Sequence, residues 1–549
     1  MFLSAVKVLK RGEITAPEGR MALLVFILLS VSSSLFNPPR SKELFLIQSF
    51  HLFSIFLIWL SLNQFRLTRH VKDRILAVIL GSALIEALIG IVQFAGLYRF
   101  IPVTPLEGGG FVWGAFQQKN LFGSFIALGL IISLHMISSP LTRFKKLLNF
   151  FLFAVPLPLS VALVFSNSRT AWLGFLIGST VILASRFRLY STIKRRVLMW
   201  LLFAMIGTFV GVHLYGGSES YRVAVLERES SNVQRILMLK TSMKMFLEQP
   251  LTGFGFSNFP SLYMHYQAEV VEENENFKRF AGGFVSHPHN EIANIAVQSG
   301  ILGLIGLSVV VVTFMRILYK IGLQKSGLYL GLLTPLLIHS LLEYPLELSV
   351  IHFFTFVLLL SFITSHTRRK LTLNLSKTQR YLGFAIAVFL FLVSAGFTLK
   401  TFQDYMRMTL FAVEFEKGNF KPELLEGARK NPYLNLWAEK MYMVGKLKTA
   451  VESKDTEFLK EFVLWSEVYR RKLPLEEVYQ AEALALMVLG REYKNLALLD
   501  ESMKVTEEGL KLYPNSEKLR SLKGMIFKEA MEVLAESFSR FVERSQKRP

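Results

Sequence analysis

The sequence contains no cysteine and relatively few acidic side chains. None of its 549 residues is cysteine, and the 41 Asp and Glu residues are outnumbered by 62 Lys and Arg residues. The absence of cysteine excludes disulfide bonds and thiol chemistry. A chain with large parts in an oxidising compartment loses nothing by this absence.

Apolar residues are abundant instead. Hydrophobic side chains make up 52% of the chain and its mean hydropathy is +0.40, which is more than a soluble core of this size hides. Apolar runs near the roughly 20 residues that a bilayer requires recur along the chain. We predict membrane spans at 21–36, 44–62, 75–97, 120–137, 148–166, 170–185, 197–216, 290–315, 327–342, 346–363 and 381–399.

The positions of Lys and Arg predict the orientation of these spans. One alternate set of short loops, from segment 1–20 to segment 368–380, carries most of the basic residues. The opposite short loops carry only Arg40, Lys42, Arg99, Lys119 and Arg169. Because basic loops remain cytoplasmic, we place the N-terminus inside. Topology then accounts for much of the +21 net charge, so we expect no nucleic-acid partner.

The chain divides into a membrane domain and a polar C-terminal domain. We predict a polytopic transmembrane domain over 1–400, with a large periplasmic loop at 216–290, and a helical domain over 401–549. Apolar residues recur there at helical spacing among charges of both signs, which favours tetratricopeptide-like helical hairpins. The fold class is therefore all-α, with about 11–12 transmembrane helices. An uncleaved first span and eleven crossings place the C-terminal domain in the periplasm.

Unusual polar residues collect at the outer ends of the spans. Five segments contribute them: Gln117–Asn120, Asn167–Thr170, Arg235 in the large loop, His287–Asn290 and His339–Leu348. Loop-end amides are often only helix caps, and an arginine in a short outer turn is often a snorkelling anchor. Arg169 nevertheless departs from the positive-inside trend.

The HPHN stretch at 287–290 admits three interpretations. In the first, Pro288 breaks the chain, Asn290 caps the next helix and the histidines face solvent. In the second, the HxH spacing holds a metal, but no HExxH motif or carboxylate triad supplies further ligands, so we expect none. In the third, a histidine accepts a proton from an attacking hydroxyl near neutral pH. We expect His287 to be structural.

The glycine-containing stretch PLTGFGFSNF at 250–259 has a different interpretation. It lacks the third glycine and the flanking strand of a dinucleotide-binding loop. We predict a turn on which the fold of the large loop depends.

Together the outer polar groups suit a diphosphate. Arginine offers a planar, permanently charged fork that binds phosphate oxygens bidentately. Two arginines, side-chain amides and an imidazole at the outer face fit a diphosphate whose lipid tail lies in the bilayer.

Several of these stretches carry a family signature. They are SRTAWLG after a span, an arginine ahead of PLTGFGFSNF, and HPHNEIANIAVQSGILGLIG. They resemble the bacterial O-antigen ligase superfamily, whose members take glycans from undecaprenyl diphosphate. WGAFQQKNLFGSFIALGL, HSLLEYPLELSVIHFF and PLEEVYQAEALALMVLGREY with a later LYPN are most similar to its protein O-oligosaccharyltransferase branch, which glycosylates pilin-type proteins on Ser or Thr.

The resemblance implies roles for individual residues. Arg169 and Arg235 correspond to diphosphate binders and His289 to the essential catalytic histidine. Supporting groups are implied at Gln118, Asn120 and Tyr344. We expect Asn290, beside the histidine, to be a substrate-binding residue as well. We add Glu343, beside Tyr344, as an orienting carboxylate.

The resemblance also implies a function and a fold. The implied protein is a GT-C-like glycosyltransferase in the bacterial inner membrane, with its active site facing the periplasm. The partners would be an undecaprenyl-diphosphate-linked glycan, the lipid bilayer and an acceptor protein or lipid A core. Neither metal nor other cofactor is expected, and a single in-line displacement would invert the anomeric centre.

Three alternatives remain open from the sequence. Within the enzyme class, the chain is an O-antigen ligase acting on lipid A core, or a polymerase. A lipid-linked glycan transporter needs ionisable groups near the bilayer midplane, for which Glu86 and Gln93 are candidates. A membrane-anchored scaffold is the third, but so many spans exceed what an anchor needs.

Overall fold

The structure, a computed structural model, describes residues 2–97, 112–139, 152–216, 219–367 and 371–546. Nearly all regular structure in those ranges is helical, which confirms the all-α prediction. The helices are α1 (Phe2–Arg11), α2 (Arg20–Ser32), α3 (Lys42–Leu62), α4 (Arg69–Phe94), α5 (Lys119–Met136), α6 (Pro156–Phe165), α7 (Arg169–Ser185), α8 (Phe187–Thr192), α9 (Lys194–Gly216), α10 (Glu219–Glu248), α11 (Phe259–Glu273), α12 (Glu291–Ile321), α13 (Leu323–Ser340), α14 (Pro345–Leu348), α15 (Val350–Thr364), α16 (Lys377–Glu416), α17 (Glu426–Lys430), α18 (Asn435–Ser453), α19 (Thr456–Lys472), α20 (Glu476–Glu492), α21 (Leu496–Leu512) and α22 (Glu517–Gln546).

The chain is a multi-pass membrane protein. Six of the described helices are long and apolar enough to cross a bilayer: α3, α4, α5, α9, α12 and α16. Four shorter apolar helical stretches are Arg20–Leu35, Leu152–Phe165, Arg169–Ser185 and Val350–Thr364. Each of the eleven predicted spans falls on helical structure, and the span at 327–342 corresponds to α13. The predicted span at 148–166 begins outside the described residues. Arg99, used for the orientation, also lies outside them. The number of crossings remains a prediction.

Helix α5 is the centre of the membrane bundle. Every residue from Leu121 to Met136 is buried, and α4, α6, α7 and α13 pack around it. Helices α7 and α13 approach closely through small residues, because a Cβ on Gly178 would lie 2.6 Å from the carbonyl oxygen of Gly331. This packing places the beginnings of α5 and α7 beside the end of α13.

The predicted turn at 250–259 is confirmed and has a structural purpose. Helix α12 breaks at Gly300, where φ is 59° and ψ is −153°, a conformation that glycine tolerates. The turn fills this break: the Ile301 N–H donates to the Pro250 carbonyl at 2.8 Å, and the Phe254 N–H donates to the Val297 carbonyl at 2.9 Å. The course of α12, and thus the position of its first turn, depends on this contact.

Glu86 and Gln93, the candidate transport residues, have structural partners instead. The Gln93 amide both donates to and accepts from the backbone of Gly114, at 3.1 and 2.9 Å. The Glu86 carboxylate accepts the N–H of Ala115 at 3.0 Å. These bonds hold the chain before α5 against α4, which explains the polar groups without a transport path.

Two short strands were not predicted from the sequence. Glu13–Ala16 (β1) pairs antiparallel with Leu371–Asn374 (β2), with Glu13 opposite Asn374. The pairing joins the segment after α1 to the segment before α16.

The helices after α16 pack on the large loop. Asn515 donates to the carbonyls of Lys278 and Ala281 at 2.9 and 2.7 Å. The Ser261 hydroxyl donates to the carbonyl of Lys472 at 2.6 Å. The C-terminal helices and the loop therefore lie on the same face of the bundle. Successive helices α19 to α22 pack against one another, and the tetratricopeptide-like assignment remains a prediction.

Because the chain has no cysteine, a single introduced thiol reports the side of the membrane on which it lies. We expect Ser453→Cys, exposed at the end of α18, to react with an impermeant maleimide in intact spheroplasts. Ser191→Cys, exposed in α8 and predicted to be cytoplasmic, is the control and should react only after permeabilisation. The reverse pattern would contradict the predicted orientation.

Candidate active site

The centre of the candidate site is a carboxylate that joins three distant segments. Glu343 lies in the turn after α13, and its side chain is 7% exposed. Its Oε2 lies 2.6 Å from His289 Nδ1. Its Oε1 accepts hydrogen bonds from Arg235 Nη2 and from Asn120 Nδ2, both at 3.2 Å. The structure thus brings together four of the residues singled out in the sequence.

The electrostatics of Glu343 follow from these partners. Burial favours its neutral form, but the hydrogen bond from His289 and the nearby charge of Arg235 outweigh that effect and lower the pKa of the carboxyl. Glu343 is therefore ionised at neutral pH. An ionised carboxylate only accepts hydrogen bonds, so His289 Nδ1 carries the proton of this contact. When the ring is neutral, the remaining nitrogen, Nε2, is an acceptor, as a general base requires.

Helix α12 begins immediately after His289. Asn290 is its N-cap, because its Oδ1 accepts the Ala293 N–H at 2.9 Å. The same side chain donates through Nδ2 to the carbonyl of Leu341 at 2.8 Å. Asn290 therefore ties the start of α12 to the turn that carries Glu343, which is a structural reason for an amide there.

The starts of α5 and α7 supply the next group of side chains. Gln118 caps α5 by accepting the N–H of Leu121 at 2.6 Å. Ser168 caps α7 and its hydroxyl also donates to Asn120 Oδ1 at 2.9 Å. Asn120 thus links Ser168 on one side to Glu343 on the other. The contact that Gln118 makes is therefore that of a helix cap.

Arg169 does not contact Glu343. Its exposed side chain donates through Nη2 to Asn232 Oδ1 at 2.8 Å. Asn232 and Arg235 lie one turn apart on α10, so Arg169 contacts the helix that carries Arg235. Asn232 was not predicted from the sequence, although it immediately precedes VQR in the predicted outer loop.

Tyr344 packs between the two histidines. Its ring stacks on His287 with centroids 4.3 Å apart and lies edge-on to His289 at 5.1 Å. Tyr344 thus contacts the rings of both histidines. A second polar network, deeper in the bundle, was missed: Ser124 lies 2.8 Å from His339 Nδ1 and 2.9 Å from His352 Nε2.

Comparisons with known proteins match the segments of the chain that carry these residues. A family model described as O-antigen ligase matches residues 153–308, and one described as the C-terminal part of a virulence factor membrane-bound polymerase matches residues 328–522. These matches support the O-antigen ligase superfamily for this chain. Arg169, Arg235 and His289 lie in the first matched segment, and Glu343 lies in the second.

Two curated relatives are O-oligosaccharyltransferases of Acinetobacter baylyi. The general O-oligosaccharyltransferase is 24% identical over 307 residues, which cover 53% of this chain and 51% of the relative. The ComP-specific O-oligosaccharyltransferase is 24% identical over 238 residues, which cover 42% of this chain and 39% of the relative. The chain therefore spans about half the length, or less, of the curated relatives it matches. It is similar to the protein-glycosylating branch.

The first prediction at the site concerns the orienting carboxylate. In Glu343→Gln, the amide donates where the carboxylate accepted, which favours the His289 tautomer with its proton on Nε2. We expect the turnover rate to fall by about 100-fold or more, with little change in KM. Steady-state transfer kinetics measure both.

The same variant tests the pH dependence. Because the folded-state pKa of Glu343 is below the ordinary 4.5, its stabilising contribution is present above that pH and is lost as pH falls through the folded-state value. Glu343→Gln should have a lower melting temperature than the native protein at pH 7. Between pH 7 and acidic pH, its melting temperature should fall by less than that of the native protein. An unchanged melting temperature at pH 7 would contradict this account.

Proposed function

We propose that this protein transfers a glycan from an undecaprenyl-diphosphate-linked donor to an acceptor hydroxyl at the periplasmic face of the inner membrane. The observation that supports it best is the shared carboxylate: Glu343 contacts His289 through one oxygen and Arg235 through the other. A base and a permanent cation are thus held side by side. The acceptor we favour is a Ser or Thr hydroxyl of a protein, because both curated relatives are O-oligosaccharyltransferases.

The reaction is a single displacement at the anomeric carbon. The acceptor oxygen forms a bond to that carbon while the bond from the carbon to the diphosphate oxygen breaks. His289 Nε2 takes the hydroxyl proton, and the electron pair of the broken bond leaves on undecaprenyl diphosphate. Attack from the side opposite the leaving group inverts the anomeric centre.

The arginines stabilise the departing diphosphate. A guanidinium has five N–H donors, so the one contact of Arg235 with Glu343 leaves it able to bind phosphate oxygens. Arg169 borders the same helix through Asn232 and adds a second fixed charge. Their charges do the work that a divalent cation does in other phosphate sites, and we propose that transfer needs no metal.

The acceptor is the least constrained part of the proposal. The C-terminal helices pack on the large loop, on the face that carries the site, where a protein acceptor would approach. An O-antigen ligase acting on lipid A core and a polymerase joining repeat units use a similar donor site. They differ in the molecule that ends up glycosylated.

The function is tested in a ligase-deficient bacterium that makes a defined undecaprenyl-diphosphate glycan and expresses a pilin-type acceptor protein. We expect glycan on the acceptor protein, and at least a 100-fold loss in His289→Ala. Glycan on lipid A core would identify the protein as an O-antigen ligase, and lengthened glycans would identify it as a polymerase. Normal transfer by folded, membrane-inserted His289→Ala would overturn the mechanism.

Arg235→Lys separates charge from geometry. Lysine keeps the positive charge but not the planar fork, so we expect kcat/KM for the donor to fall about tenfold or more. Arg471→Lys is the matched control, because the Arg471 side chain is 74% exposed on α19. Equal activity of the two variants would show that bidentate contact by Arg235 is not used.

A further inference from the structure

A second group of ionisable side chains lies beside His289. His287, Glu291 and Glu347 place one ligand-type atom each within 4.8 Å of the others. His287 is 3% exposed, and its Nε2, which faces this group 3.6 Å from Glu291 Oε2, has no hydrogen-bond partner among the described residues. An imidazole and two carboxylates are a donor set that divalent cations accept.

The other nitrogen of the His287 ring argues against cation binding. His287 Nδ1 accepts the backbone N–H of His289 at 3.0 Å. A neutral imidazole carries one proton, so that proton is on Nε2. A metal-bound imidazole nitrogen must be unprotonated, which would move the proton to Nδ1 and set it against the His289 N–H. The geometry fits an N–H group directed at carboxylates.

The bond to His287 stabilises an unusual backbone. His289 has φ at 53°, in the left-handed region, which is unfavourable for a residue with a side chain. This conformation turns the His289 ring toward Glu343. Tyr344 stacks on the His287 ring and meets the His289 ring edge-on, so the two rings are packed as one unit.

We propose that His287 is a positioning residue for His289. By accepting the His289 N–H, it holds the left-handed backbone that presents His289 Nδ1 to Glu343 and leaves Nε2 for the acceptor hydroxyl. Glu291 and Glu347 face the Nε2–H of His287 and retain its tautomer. The catalytic consequence rests on the proposed role of His289 as the base.

The charge state of His287 is consistent with this role. Burial, with His289 nearby, outweighs the attraction of Glu347 and Glu343 and lowers the pKa of His287 to about 4. The ring is therefore neutral at neutral pH, and Nδ1 is available as an acceptor. Protonation at lower pH would place a proton on Nδ1 and break the bond to the His289 backbone.

Two variants separate the acceptor atom from the ring. Asparagine accepts the N–H two residues on through its side-chain oxygen, so His287→Asn keeps the bond and loses the stacking on Tyr344. His287→Phe keeps the ring and loses the acceptor. We expect kcat of His287→Phe to fall about tenfold or more with KM nearly unchanged, and His287→Asn to remain within about threefold of the native protein.

A measurement that needs no substrate accompanies the kinetics. Diethylpyrocarbonate modifies neutral imidazoles, and the His289 side chain is 30% exposed. Peptide mass spectrometry of the purified full-length protein gives its modification rate. We expect that rate to change in His287→Phe and to stay near the native value in His287→Asn, with both variants having native melting temperatures.

The outcomes are distinguishable from failure of the proposed function. If the native protein transfers no glycan, that function fails, while the His289 modification rates still test the positioning role. Equal behaviour of the two variants in both measurements would overturn it. Loss of native transfer with EDTA, restored by Mn²⁺ or Zn²⁺, would identify a cation site and overturn it as well.

Discussion

The Glu343 carboxylate accepts hydrogen bonds from Asn120, Arg235 and His289, which come from three segments far apart in the sequence. Taking an ionised carboxylate out of water costs several kcal/mol unless donors replace its hydration. Each of the three segments therefore stabilises the position of the other two. Loss of one donor leaves a nearly buried charge with fewer partners, so the segments are expected to hold or fail together.

Helix breaks, helix caps and close helix packing position these donors, although the residues involved take no part in the proposed reaction. The break at Gly300 and the turn at 250–259 set where α12 begins. Asn290 then caps that helix and binds the Leu341 carbonyl, so α12 and the Glu343 turn move as one unit. Close packing of the start of α7 on α5, where a Cβ on Gly123 would lie 2.9 Å from Ser168 Cβ, places Ser168 beside Asn120. The candidate site is thus held by rigid helix ends.

Some of this could be predicted from the sequence, for identifiable reasons. Hydropathy located the helices, since a bilayer requires long apolar runs. Clustering of polar groups at the outer ends selected Glu343 and Asn120, and family resemblance selected His289. Pairings between distant helices leave no local period to find, so the buried contacts of Ser124 with His339 and His352 were missed, as was the β1–β2 pair. Glu86 could not be assigned from the sequence, because a mid-span carboxylate looks the same in the sequence whether it accepts a backbone hydrogen bond or lines a transport path.

The two Glu343 oxygens contact different partners, and this difference affects how the proposed reaction proceeds. His289 uses Oε2, whereas Arg235 and Asn120 use Oε1. In the proposed reaction, the Arg235 donors that Glu343 leaves free would bind the diphosphate, while the contact with Oε1 holds the guanidinium in place. The His289 contact uses the other oxygen and is therefore unaffected by donor binding. Glu343 remains an anion beside the ring, and that negative charge would favour the protonated histidine that forms when the hydroxyl attacks.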